Sequence, residues 1–454
     1  MTVGMVTLVV LNAFEALAVT TTMPAVVRAL GGLSLYAMAF AGTVASSVVG
    51  MVAAGMWSDR RGAGRPLLTG VGLFCLGLVV VGTAPSMVVV VVGRVVQGLG
   101  SGLISVALYV VVAHVYPART QPRVFAAFAA AWVVPSVVGP AVAGFVAEHL
   151  GWRWVFLGIP LLAVGAVATL RQVLVQSAEA RPGDVVDPDQ ALSRAGGRVR
   201  LTAALGAGLG AMALHWGGRQ SGVAQLVTLA LGAAALAVSV PRLLPPGTTR
   251  VARGLPSVVV SRGLFGAAFF GAEVYLPLLL IEWRGMSQAG AGLALAAAAI
   301  LWSLGSSLRG RREGRWDDAR VLRTGGLSLM VGIACAALGV WPAVPVAVSL
   351  LGWGLSGFGM GLAYPTLSVL TLRLSAPHEQ GTNSSALQVN ESLTIAVVLA
   401  AGAPLFAALV EGSPQAAFLV CFGLAAAAAA GAALVAGRVS PRPARIAPAV
   451  ATSE

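Results

Sequence analysis

The chain contains no lysine, so every one of its 29 basic Lys-or-Arg positions is arginine. That absence excludes a phosphate-binding loop, which needs its Gly-Lys-Ser/Thr, and a Schiff-base lysine, so the chain is no ATP-driven pump by itself. Charge is scarce as well: charged residues make up 10% of the chain and hydrophobic ones 57%. A soluble domain carries about a quarter charged residues, so the composition excludes one and leaves a polytopic membrane protein. Cysteine is nearly absent. Cys75, Cys335 and Cys421 stand alone in separate apolar stretches and form no CxxC, so they suggest neither a disulfide framework nor a metal site. No cofactor or enzymatic chemistry is expected. Acidic residues number 16, leaving a net charge of +13. In a soluble protein that surplus would suggest nucleic acid. Here the arginines fall in short loops between apolar runs, so the expected partner is a lipid bilayer and not nucleic acid.

Apolar segments long enough to span can be read at 3–27, 34–57, 65–84, 87–113, 121–147 and 152–174. The first has no basic leader and is interrupted by Glu15, so it reads as a retained helix and not as a cleaved signal. A polar stretch, 176–200, holds Asp184, Asp187 and Asp189 with Pro182 and Pro188, and reads as a linker. Then come 201–216, 221–242, 256–282, 287–308, 319–340, 344–373, 380–410 and 415–437, a total of fourteen. The shortest, 201–216, has re-entry as its alternative; the tail from Arg438 reads as disordered. The expected domains are a six-helix bundle over 1–175, the linker 176–200, an inserted helix pair with its loop over 201–255, a second six-helix bundle over 256–437, and a tail over 438–454. Arg60, Arg61, Arg65, Arg119, Arg123, Arg250, Arg253, Arg309, Arg311, Arg312, Arg315, Arg320 and Arg323 fall on one predicted side. The other carries only Arg28, Arg153, Arg219 and Arg284, which puts both termini in the cytoplasm.

The fourth span places Arg94, Gln97 and Ser101 on one helical face, with Gly98 and Gly102 as a small-xxx-small pair beside it. An arginine in mid-membrane is unfavourable and normally faces a bundle interior. The run Gly98-Leu-Gly100-Ser-Gly102 returns as Gly357-Phe-Gly359-Met-Gly361, 259 residues on, and Glu15 returns as Glu273. Halves duplicated in parallel enter from the same side, so an insertion between them must cross an even number of times. Two extra spans satisfy that.

The Arg-Gln-Gly spacing of the fourth span resembles a signature of the major facilitator superfamily. Gly55-Met-Trp-Ser-Asp59-Arg60-Arg61-Gly62 resembles its loop motif between the second and third helices. Gly139-Pro140-Ala-Val-Ala143-Gly144 is similar to the Gly-Pro motif of its antiporter branch, with Ala143 for a usual glycine. Trp152-Arg153-Trp154 and the Glu15-to-Pro24 spacing resemble the fourteen-helix drug:proton antiporters. The resemblance implies an all-α major facilitator fold of two six-helix bundles plus two inserted helices. It further implies a monomeric, multi-pass protein of the bacterial inner membrane that exports drug-like or secondary-metabolite molecules against protons by alternating access. Export or import of an endogenous metabolite or lipid, and a non-transporting receptor or scaffold, stay open as alternatives.

Charged groups read within the spans are Glu15, Arg94, Glu273 and Glu391, with His215 near the end of an inserted span. A desolvated carboxyl can take a proton on one side and release it on the other, which makes these four the expected proton-coupling set. Asp59 is expected to latch to the positive end of the helix that starts near Gln380-Gly381-Thr382. A small-organic-substrate cavity, aromatic and weakly acidic, is expected from Asn12, Phe14, Gln97, Phe269, Phe270, Tyr275, Trp302, Trp353, Tyr364, Gln388 and Asn390; it would suit amphipathic or cationic compounds.

Overall fold

The computed structural model describes residues 2–32, 35–163, 165, 190–217, 220, 222–311 and 316–440, and every regular element among them is a helix. The first seven are α1 (Thr2–Leu30), α2 (Tyr36–Arg61), α3 (Gly64–Gly82), α4 (Met87–Val115), α5 (Gln121–Ala130), α6 (Val133–His149) and α7 (Trp152–Ala163). Then come α8 (Gln190–Gly217) and α9 (Gly222–Leu243), followed by α10 (Leu255–Glu273) and α11 (Leu276–Leu278), which runs into a π turn over Leu279–Trp283. The last five are α12 (Gln288–Arg311), α13 (Asp318–Ala337), α14 (Val346–Leu374), α15 (Gln380–Val410) and α16 (Pro414–Val435).

Among the described residues, eleven helices are long and apolar enough to cross a bilayer, or twelve when the bent pair 121–136 and 141–149, within α5 and α6, counts as one span. The other two of the fourteen predicted segments fall short for local reasons. In α8 the first turns carry Arg194, Arg198 and Arg200, which confines its apolar stretch to 201–217. The helix also begins inside the stretch expected to be a linker. The described part of α7 ends at Ala163, and the rest of the predicted 152–174 span lies outside the described residues. So do Arg219, the predicted linker up to 189 and most of the predicted tail.

Glycine sets the helix packing, and it does so twice. A Cβ at Gly98 or Gly102 would lie 2.2 Å or 2.1 Å from α2 atoms, and one at Gly100 would lie 2.3 Å from Phe74 N of α3. Their counterparts Gly357 and Gly361 meet α12 at 2.2 Å, and Gly359 meets α13 at 2.5 Å. No side chain fits at such distances, so α4 is clamped between α2 and α3 as α14 is between α12 and α13. One apolar core joins residues of α1 to α7 and a second joins residues of α10 to α16. The inserted pair packs elsewhere. Ala203, Ala204, Ala207 and Ala211 of α8 form a third cluster with Val48 and Val52 of α2 and Val389 and Leu393 of α15.

Two breaks interrupt otherwise continuous spans. Residues 121–136 and 141–149 diverge by 45° across a break that contains Gly139-Pro140. In α10 the helix ends at Glu273, and Pro277 stands four residues on. Proline has no N–H to give to the Glu273 carbonyl, so the helical ladder lapses there and resumes as α11 and the π turn.

Candidate transport site

In the first half, α1 and α4 face each other through polar side chains. Arg94 Nη1 donates to Glu15 Oε1 in an ion pair whose side chains are only 5% and 6% exposed. The same nitrogen donates to Gln97 Oε1 at 2.7 Å, and Arg94 Nε donates to the Ala39 carbonyl at 3.4 Å. Three residues along α1 and seven along α4, Ser101 Oγ donates to Asn12 Oδ1 at 2.8 Å. The predicted stripe Arg94, Gln97, Ser101 thus meets Asn12 and Glu15 directly. Neither charge is free.

The second half builds a different arrangement. Arg262 of α10 donates from Nε to Glu391 Oε2 of α15 at 2.7 Å, and the Tyr364 hydroxyl of α14 donates to Glu391 Oε1. The Arg262 guanidinium carbon lies 3.5 Å from the centroid of the Tyr364 ring. Room for this comes from α10, where a Cβ at Gly266 would stand 3.0 Å from Glu391 Cγ. Arg262, absent from the expected coupling set, lies within the predicted 256–282 span, and a charge inside an apolar run is the signal that marks it. The carboxylates expected to make the cavity weakly acidic are therefore largely neutralised: Glu15 by Arg94 and Glu391 by Arg262.

Glu273 is the exception. It is half-buried at the break in α10, and no hydrogen bond or ion pair reaches its side chain among the described residues. At the position 259 residues after Arg94 stands Trp353, fully buried, so the second half has no arginine to offer it there.

The predicted aromatic residues divide into three groups. Phe269 touches Phe270, Trp302 and Trp353 with centroid distances of 5.4, 5.2 and 4.6 Å, and Trp302 lies 4.8 Å from Tyr364. The indole N–H groups of Trp302 and Trp353 are buried without an acceptor among the described residues. Tyr275, predicted with them, instead packs on Phe406 at 5.2 Å and beside Gly402, because the break in α10 turns it towards α15. Phe14 sits apart in the first half, beside Gly139, where a Cβ built on the glycine would lie 3.6 Å from the Phe14 ring. Of the polar candidates on α15, Asn390 Nδ2 donates to the Val259 carbonyl at 2.8 Å and so ties α15 to α10, while Gln388 Nε2 reaches the Ser105 carbonyl of α4 at 3.4 Å. Gly144, expected to allow close packing, has nothing within 4 Å of a Cβ built on it.

The halves meet at a seam that sequence spacing could have located. Ser368 Oγ of α14 accepts from Arg262 Nη1 at 3.5 Å and lies 3.2 Å from the Tyr109 hydroxyl of α4. Tyr109 and Ser368 are 259 residues apart, the repeat offset, so equivalent positions of the two halves touch each other, as they can only near the axis relating them. On the arginine-rich face, Asp59 Oδ1 and Oδ2 accept the backbone N–H groups of Gly381 and Thr382 at 2.6 and 2.7 Å, at the first turn of α15. These are helix N-terminal donors without an intrahelical partner, which favour a carboxylate. Gly55 and Gly381 allow it: a Cβ on either would lie 2.7 or 2.5 Å from the carbonyl oxygen of the other. Gly62 closes α2 at φ 74°, a left-handed value that favours glycine. Arg60, beside them, is exposed on α2 and approaches α8 at Gly197.

A cavity of about 880 Å³ opens on the same face between the halves, lined among others by Arg119, Arg123, Arg311 and Arg373. None of the predicted substrate-cavity residues lines it. Beside it Asp318 accepts from Arg309 Nη2 at 2.6 Å and from Arg373 Nη2.

A family model described as Major Facilitator Superfamily matches residues 5–399. The chain belongs to that superfamily. Within it, the chain is 28% identical over 385 residues to an uncharacterised MFS-type transporter of Mycobacterium tuberculosis, with 81% of this chain and 53% of the relative covered. It thus spans about half the length of that relative. It is 26% identical to a "Probable multidrug-efflux transporter" of the same organism, covering 81% of this chain and 79% of the relative. Against "Multidrug resistance protein 3" of Bacillus subtilis the identity is 22%, with 84% and 74% covered. Among solved structures, the superfamily's proton:xylose symporter superposes with a TM-score of 0.67 at 15% identity over 97% of this chain and 95% of that one. A bacterial homologue of the iron transporter ferroportin gives 0.68 at 14%, over 96% and 98%. The fold is therefore the major facilitator fold, and the chain is a multi-pass membrane protein of that superfamily.

Proposed function

We propose that this superfamily member is a proton-coupled exporter of drug-like or secondary-metabolite molecules, working by alternating access between the bundles 1–175 and 256–437. The observation that carries the reading is Glu273: a half-buried carboxyl at a helix break, without a partner among the described residues, in contrast to Glu15 and Glu391, which are paired with arginine. A carboxyl in that setting can hold a proton at little structural cost and lose it when water reaches the break. Glu391 is the second coupling group, since its protonation would release both Arg262 and Tyr364 at the seam. Arg94 and Glu15 hold α1 to α4. The Asp59 latch ties α2 to the start of α15 on the arginine-rich face and limits how far the halves part there, and the bend at Gly139-Pro140 gives the fifth span a place to flex. The relatives named for multidrug efflux and multidrug resistance support export of organic compounds.

The same proposal includes fourteen spans, with α7 and α8 completing the count, both termini in the cytoplasm, and a monomer in the plasma membrane. Export is tested by expressing the full chain in a strain lacking its own efflux pumps and measuring accumulation across a compound panel with and without an uncoupler. Lower accumulation that an uncoupler abolishes is expected; accumulation indifferent to the uncoupler, or raised by the chain, contradicts the reading.

A further inference from the structure

The cavity on the arginine-rich face is lined, among the described residues, by neither an aromatic nor an acidic side chain. It is rimmed by Arg119 and Arg123 from the α4–α5 connection and start of α5, Arg311 from the end of α12 and Arg373 from the end of α14, and it is floored by Val369 and Leu372. The positive-inside rule explains arginines on this face, but not their convergence on one space shared by both halves. Nor does it explain their idleness. Among the described residues the side chains of Arg119, Arg123 and Arg311 make no hydrogen bond or ion pair, and that of the fourth, Arg373, is held in place by Asp318, which also serves Arg309. No carboxylate lines the cavity among the described residues. Planar guanidinium forks match carboxylate, sulfonate and phosphate groups, and an apolar floor suits an organic body attached to such a group. The volume of about 880 Å³ falls within the ordinary range of small-molecule sites, about 300–1,000 Å³.

What lies behind the floor gives the cavity a direction. Val369 is the neighbour of Ser368, whose hydroxyl meets Tyr109 across the seam and accepts from Arg262. A ligand held by the rim is thus one closed contact away from a further arginine, and that arginine leads to the Phe269, Trp302 and Trp353 cluster with its two unanswered indole donors. Along this route the charged groups on offer are cations, while the carboxylates Glu391 and Asp318 are already engaged.

We infer that the cavity is a loading site for amphipathic organic anions and that the exported substrates carry a carboxylate, sulfonate or phosphate group. This deepens the export reading and rests on it for direction only; binding itself does not depend on transport. The probes are three compounds of one shape: naphthalene-1-acetate, its neutral amide, and 2-(1-naphthyl)ethylamine. Each is titrated calorimetrically into the purified full-length protein in detergent. The acetate is expected to bind at least tenfold more tightly than the amide or the amine and to weaken with added salt. Arg123→Gln and Arg311→Gln are each expected to weaken it by about tenfold, equivalent to about 1.4 kcal/mol, whereas Arg250→Gln leaves it unchanged. Should the glutamine variants not be recovered folded, Arg123→Lys and Arg311→Lys keep the charge and lose the fork, and each is expected to weaken the acetate by several-fold. Equal binding of acetate and amide, or binding indifferent to both Arg123 and Arg311, overturns the inference. Occupancy by phosphatidylglycerol in lipid nanodiscs with no binding of the acetate in detergent also overturns it, by making this a lipid-headgroup site. Proton-driven export of a neutral compound by a protein that fails these tests leaves the export reading intact and removes this one alone.

Discussion

Glu15 and Glu273 occupy corresponding positions of a duplicated sequence, yet their surroundings differ in kind. In the first half α4 supplies Arg94, and Glu15 becomes part of a buried pair with Gln97 on one side and the Asn12–Ser101 contact below. In the second half the residue at the Arg94 position is Trp353, the arginine has moved to α10 as Arg262, and it pairs with Glu391 of α15. Glu273 is left at a proline-induced break with no partner among the described residues. The difference teaches that duplication preserved the glycine clamps, where geometry permits no alternative, and freed the charges to specialise. One half holds its carboxylate still; the other keeps one carboxylate wired to the seam and one unattached.

Breaking a pair separates these roles most sharply. Arg94→Met in the first half and Arg262→Met in the second each strand a buried carboxylate, and each is expected to lower stability by about 3–5 kcal/mol. Thermal unfolding of the detergent-solubilised protein reads this, and the doubles Glu15→Met/Arg94→Met and Arg262→Met/Glu391→Met should recover most of the loss. A single variant as stable as the parent would remove that pair from the account. Next in size is packing: Gly102→Val and its counterpart Gly361→Val place atoms where backbone already stands and should each destabilise by at least about 1–3 kcal/mol, the usual range for overpacking. Gly144→Val, with open space around it, should be near neutral. Unequal results at Gly102 and Gly361 would show that the two clamps are not equivalent.

Much of this was legible in the sequence, because the signals were local. Long apolar runs, the Gly98-Gly100-Gly102 and Gly357-Gly359-Gly361 repeats and the Gly55-to-Gly62 motif depend only on residues near one another in the chain, and each has a direct structural counterpart. Partnership was less legible. That Arg94 reaches Glu15 while Glu273 goes without depends on what stands on another helix, and Tyr275 left the aromatic group because a proline two residues on interrupts its helix. Arg262 was visible as a charge within an apolar run. The arginine-lined cavity was not, since its rim is gathered from α4–α5, α12 and α14, and loop arginines read singly look only like topology.

The latch asks for a smaller change. Asp59→Asn keeps one acceptor for the α15 N-terminus but loses the charge, an effect of up to about 2 kcal/mol on which face is open. Cysteine labelling at Leu372, buried at the cavity on the arginine-rich face, should rise in Asp59→Asn while substrate affinity stays within about twofold, a margin well under the tenfold that 1.4 kcal/mol represents. Equal loss of affinity and of closure would mean that the latch also shapes the binding site.

The smallest expected effect on stability belongs to Glu273→Gln, within about 0.5 kcal/mol, because no partner is lost. Its effect on coupling should be the largest of all. The most direct test reconstitutes the full chain in liposomes with a pH-sensitive dye inside and follows proton movement when the best compound from the efflux panel is added. Parent protein should move protons in answer to the compound; Glu273→Gln should move none, yet still exchange labelled for unlabelled compound. Undiminished compound-driven proton movement by Glu273→Gln would contradict the account.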